Sequence, residues 1–134
     1  MHYQQTILWN KAMSVASMVV QISGPLNAAN EFPISHQLRQ SAFDLVRFIA
    51  DGWTRESRVD KAHYMGAAQG SLAELVTQIL LCERAGWIDN VSTETLHATM
   101  DEVGRMLSSI RKRLRGEQSL IAAPVTEMVS DLMH

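Results

Sequence analysis

Gly70-Ser71-Leu72-Ala73-Glu74-Leu75 opens a leucine-rich run that continues through Leu80 and Leu81 and stops at Gly86-Trp87. Around it Met65, Ala68, Leu72, Leu75, Ile79 and Cys82 recur every three or four residues. That spacing lines them up along one side of an α-helix, which turns once in about 3.6 residues. The same pattern returns three more times. Leu8, Ala12, Val15, Val19 and Ile22 form one stripe, Leu38, Ala42, Leu45, Ile49 and Gly52 a second, and Leu96, Met100, Val103, Leu107, Ile110 and Leu114 a third. Stripes of this width describe helices packed at a shallow angle around a shared core.

Turn-forming residues cluster only between the stripes, at 24–33, 52–57, 86–92 and 116–124. Such short connections force successive helices to run antiparallel. The expectation is an all-α, up-down-up-down antiparallel four-helix bundle over residues 1–116. Ser57 and Ser92 are placed to act as N-caps, with Asp60 and Glu94 in the first turns, where the helix dipole favours negative charge. Gly86 is expected to stop the third helix and Gly116 to break the fourth. Gly70 sits inside a helix, where glycine costs about 1 kcal/mol relative to alanine. With Ser71 it points to the close approach of another helix.

Residues 117–134 form a separate tail. Pro124 can open a short amphipathic helix there, with Val125, Met128, Val129, Leu132 and Met133 along one stripe. A helix this short is not stable alone. Four helices already close their own core, so the stripe is expected to lie across a subunit interface.

At 134 residues the chain fits one domain. Its hydrophobic content of 46% and charged content of 19% are those of an ordinary globular protein. A net charge of −2 recruits neither nucleic acid nor an acidic membrane through the overall field, so any basic site must be local. No apolar run approaches the roughly 18 residues of a membrane-spanning helix, and no basic region followed by a hydrophobic one opens the chain. The single Cys82 lies among Ile79, Leu80 and Leu81 and reads as a buried thiol in a reducing compartment. The expected location is the cytoplasm, with no membrane partner.

Three blocks carry more specific information: Gln37-Leu38-Arg39-Gln40-Ser41-Ala42, then Ala50-Asp51-Gly52 with Arg55 and Ser57, then Gly70 to Leu75. Together they resemble the four helix bundle protein family, small bacterial proteins first noticed in intervening sequences of large-subunit ribosomal RNA genes. The resemblance covers roughly Leu8 to Leu114. It implies a bundle without an established activity, assembled as a ring of five. Related retroelement accessory proteins pair such an assembly with binding of nucleic acid and a reverse transcriptase. The chain departs from the family pattern in its second helix, where Val46 stands in place of a proline and Phe48 in place of an asparagine. Trp9, Met13, Phe43, Phe48 and Val76 fall partly off the four stripes and supply surplus apolar surface for such an assembly.

The expected function is therefore a non-enzymatic, self-assembling binding or scaffold protein, with no catalytic residue, metal ligand or cofactor. Two other readings compete with it. Five of the twelve basic residues, Arg105, Arg111, Lys112, Arg113 and Arg115, lie within eleven positions that contain no acid. Repeated around a ring, Arg105, Arg111, Lys112 and Arg115 would offer phosphates many contacts. The same cluster is also explained by the dipole at a helix C-terminus. The second competitor is a di-metal carboxylate site. Glu94-Thr95-Leu96-His97 matches the Glu-x-x-His spacing of such bundles, and Asp60 with His63 is a near match. The supporting carboxylates are missing, since the first stripe carries no acid between Met1 and Ile22. Glu74 is a candidate for a contact with an arginine such as Arg39, between helices or between subunits.

Overall fold

The computed structural model describes residues 2–28 and 32–121. A 3-10 turn at Tyr3–Gln5 leads into α1 (Ile7–Ala28), followed by α2 (Phe32–Thr54), α3 (Arg58–Arg84) and α4 (Glu94–Ile121). Each helix packs antiparallel on the next, and α1 closes the bundle against α4. The α2–α3 contact is the most extensive. A Lys11–Glu102 ion pair at 2.7 Å ties α1 to α4. Among the described residues no helix is long and apolar enough to cross a membrane.

The stripes are the core. Leu8, Ala12, Val15 and Val19 meet Leu38, Leu45 and Ile49, then Leu75, Ile79 and Cys82, then Met100, Val103 and Leu107, all buried. Ile22 and Ile110 pack at its margins. Val46 and Phe48, the two departures in the second stripe, are partly buried against the same core. The Phe48 ring lies 6.4 Å from that of Tyr64, with the Arg47 guanidinium 4.3 Å from its centre.

Local chemistry explains most of the helix ends. Thr6 caps α1, its hydroxyl accepting the Trp9 N–H at 3.1 Å. Ser57 caps α3 by accepting the Asp60 N–H at 3.0 Å. Gly86, at φ 77°, ends α3 in a left-handed turn. There the Gly86 N–H donates to the Glu83 carbonyl at 3.1 Å and the Trp87 N–H to the Cys82 carbonyl at 2.9 Å, which satisfies carbonyls the helix would leave bare.

Three ends differ from the sequence expectation. Ser92 does not cap α4, because its hydroxyl donates to the Asp89 carbonyl at 2.7 Å and the helix begins one residue later, with the Thr93 carbonyl accepting the His97 N–H. Gly24 and Pro25 lie inside α1 rather than in a turn. A proline so near a helix end removes one hydrogen bond, and burial of Leu26 offsets the loss. Gly116 does not break α4, which continues to Ile121. A single helical glycine weakens a long helix by only about 1 kcal/mol, too little to end it.

Candidate interaction surfaces

The basic cluster of α4 does not present its cations together. Arg111 crosses to α3, where its Nη1 donates to Gln69 Oε1. Gly66 makes room for it, since a Cβ there would lie 3.2 Å from the Arg111 Cζ. Burial, and then the neighbouring Arg115, push the Arg111 guanidinium down from the usual arginine range. Arg111 thus helps fasten α4 to α3. Arg105 is paired with Asp101 at 2.6 Å on the open surface. Lys112 and Arg113 point to solvent, and Arg115 is half-buried. The stripe Val125, Met128, Val129, Leu132 and Met133 lies outside the described residues.

The two half-motifs for a metal are kept apart by the antiparallel packing. His97 lies beside Glu83 near the end of α3, whereas Asp60 and His63 occupy its first two turns. At a rise of about 1.5 Å per residue, the twenty positions from 63 to 83 amount to roughly 30 Å. His63 instead stacks its edge against Tyr64, and Glu94 is exposed. Among the described residues no three His, Cys, Asp or Glu side chains are placed to hold a metal ion.

A polar cluster without a sequence motif joins α3 to α4. Glu83 Oε1 accepts from the buried Thr93 hydroxyl and lies 2.8 Å from His97 Nε2. Burial pushes the Glu83 carboxyl up, but hydrogen bonds from Thr93 and His97, together with the charge His97 can carry, hold it below the usual carboxylate value. A folded-state pKa below the unfolded one contributes stability that is present above about pH 4.5 and disappears as pH falls through the folded value. Glu83→Gln is expected to lower the stability by about 1 kcal/mol at neutral pH. Thermal melts of both proteins across the acid range should converge; a difference that persists at the lowest pH would mean that the charge of Glu83 is not the stabilising feature.

Two apolar surfaces stand open. Met13, Ala16, Val20, Phe43 and Val46 line a groove of about 460 Å³ between α1 and α2, with Arg47 at its rim. Phe43 is 54% exposed there, an unusual state for a phenylalanine. On the opposite side of the bundle, the outer face of α3 carries Gly70, Ala73, Thr77, Leu80 and Leu81 with Glu74 as its one carboxylate. A Cβ on Gly70 would meet nothing within 4 Å among the described residues, so none of the four helices uses that glycine for a close approach. Glu74 and Arg39 make no ion pair with each other within the described residues. A third concavity, a cleft of about 670 Å³, lies where Ile7 and Leu8 of α1, Trp53 of α2 and Met106 and Ile110 of α4 come together, with Arg105 and Arg113 along its α4 side.

A family model described as 23S rRNA-intervening sequence protein matches residues 4–109. Among solved structures, a protein of unknown function from the S23 ribosomal protein family of Bacteroides thetaiotaomicron is similar in fold, with a TM-score of 0.75 and 23% identity. The match covers 79% of this chain and 99% of that one. No curated protein matches the chain.

Proposed function

Because the chain belongs to the 23S rRNA-intervening sequence protein family, we propose that it works without catalysis, as a four-helix bundle that assembles with copies of itself into a ring and serves as a binding or scaffold protein in the cytoplasm. The observation that carries this reading is the open groove around Phe43 on one side and the apolar face of α3 on the other. The two surfaces differ in shape. A contact that joins a patch to a different patch on the next copy propagates head to tail and closes as a ring when the rotation allows. Leu80 and Leu81 of one copy fill the Phe43 groove of the next, the bare Gly70 lets the neighbouring helix approach, and Glu74 faces Arg39 or Arg47 across the boundary. Five subunits is the number the family resemblance implies. Sedimentation at micromolar concentration tests the assembly, and a monomer there would overturn it.

The alternative, a nucleic-acid accessory protein using the 105–115 patch, is weakened by the use of Arg111 as a link to α3. Little or no retention on RNA or DNA is expected at low ionic strength. Changing exposed Lys112 and Arg113 to Glu, with Arg111 left in place, should then alter nothing. Retention with a salt dependence that drops by about two phosphate contacts in that variant would restore the nucleic-acid reading.

A further inference from the structure

We propose that the cleft between α1, α2 and α4 is a binding site for a small amphipathic anion, an unbranched aliphatic chain that ends in one carboxylate. The cleft belongs to neither the α1–α2 groove nor the outer face of α3, so the site stands whether or not copies assemble. Its volume of about 670 Å³ is that of a small-molecule site. Leu8, Met106 and Ile110 give it an aliphatic floor, and Ile7 at its mouth is 67% exposed. Both charges in its lining, Arg105 and Arg113, are positive. The two arginines are not equivalent. Arg105 is answered by Asp101 at 2.6 Å, and the next acid of α4, Glu102, is held by Lys11 at 2.7 Å. Arg113 is exposed and makes no ion pair among the described residues.

A second unmet group stands at the Arg113 end. A Cβ on Gly52 would meet Met65, and one on the adjoining Gly66 would meet Arg111, which sets Trp53 level with the turn from Arg111 to Arg113. The Trp53 indole N–H is buried there without an acceptor among the described residues, a cost that an anion drawn into this end would relieve. The head group therefore belongs at Arg113, whose guanidinium can hold a carboxylate through two parallel hydrogen bonds. From Arg113 back to Arg105 is eight helical positions, about 12 Å of wall. An extended chain advances about 3.5 Å for every three bonds, so about ten carbons match that length. At the far end Asp101 already answers Arg105 and would repel a second carboxylate, which selects a monoacid over a diacid.

Calorimetric titration of the full-length protein with decanoate at neutral pH, where the acid is ionised, tests the site. One saturable site per chain is expected, with decanol and decanedioate bound about tenfold more weakly or less tightly still. Arg113→Glu and Ile7→Asp change exposed positions, so the bundle should keep its helical content while the affinity falls about tenfold or more. Trp53→Phe keeps a ring on the floor but loses the N–H, and should weaken binding a few-fold. Lys112→Glu removes an equal charge that does not line the cleft and should change nothing, as should Phe43→Asp in the other open groove. Three results would overturn the inference. No saturable uptake would mean that the chain itself or a second copy closes the cleft. Decanol bound as tightly as decanoate would leave Arg113 without a role, and binding lost in Phe43→Asp but kept in Arg113→Glu and Ile7→Asp would place the chain in the α1–α2 groove.

Discussion

Phe43→Asp is expected to convert the proposed ring into monomers while leaving the helical content intact. Phe43 sits on the outer side of α2, 54% exposed, with Met13 at 41% and Val20 at 45% across the groove. In the isolated bundle the substitution touches no core position, so its cost is limited to helix propensity, about 0.5 kcal/mol. At a boundary between copies the same carboxylate would be desolvated without a partner, which costs several kcal/mol. A loss of about 3 kcal/mol weakens each contact more than a hundredfold, and a ring repeats the contact at every subunit. Leu81→Asp on the outer face of α3 should have the same effect for the same reason. Mixing the two variants discriminates further. The intact α3 face of the Phe43 variant can still enter the intact groove of the Leu81 variant, and the chain of contacts then ends, so the mixture should sediment as dimers. Monomers in the mixture, alongside a wild-type oligomer, would mean that the two faces do not meet.

The periodic part of the structure was legible because burial follows the side chain that repeats. Leu38, Ala42, Leu45 and Ile49 could be read as a wall of the core without knowledge of what faces them, since any helix carrying that stripe must cover it. Gly86 was legible for a similar reason, a left-handed position being one that glycine adopts without strain. The polar contacts were not, because their partners are distant in sequence and follow no period. Glu83 meets Thr93 and His97 across a turn. A signal was nevertheless present: an acid in the last turn of a helix opposes the dipole and calls for a compensating partner. The contact of Arg111 with α3 was not legible either, since one cation among five looks alike in sequence, although the mid-helix Gly66 marks the place where it lands. Pro25 and Gly116 were read as breaks because both disfavour helix locally. The packing of Leu26 in one case, and the length of α4 in the other, outweighed penalties of that size.

The largest effect of a single change within the bundle is expected at Gly52, the last position of the second stripe and part of Ala50-Asp51-Gly52. Here α2 and α3 come together so closely that a Cβ on residue 52 would lie 2.8 Å from the Met65 Cε and 3.2 Å from the Tyr64 Cβ. The Met65 methyl ends a flexible side chain and can move. The Tyr64 Cβ is fixed to the backbone of α3 and cannot move without the helix. Gly52→Ala therefore sets a propensity gain of about 1 kcal/mol against a forced adjustment of the same order, and should stay near wild type. Gly52→Val adds three carbons to a space where a single one already forces the Met65 methyl aside, beside a Met65 that is buried at 2% exposure. About 3 kcal/mol of destabilisation should follow, or a fall of roughly 10 °C in Tm. Gly70→Ala should act in the opposite direction in the dissociated Phe43→Asp protein, stabilising it by about 1 kcal/mol, because nothing stands within 4 Å of the added methyl. In the assembled wild type the same methyl would meet the neighbouring copy, and the gain should shrink or reverse. Thermal melts of these variants beside their parent proteins decide the matter: a Gly52→Val variant that melts within about 3 °C of wild type would show that α2 and α3 are not held this close.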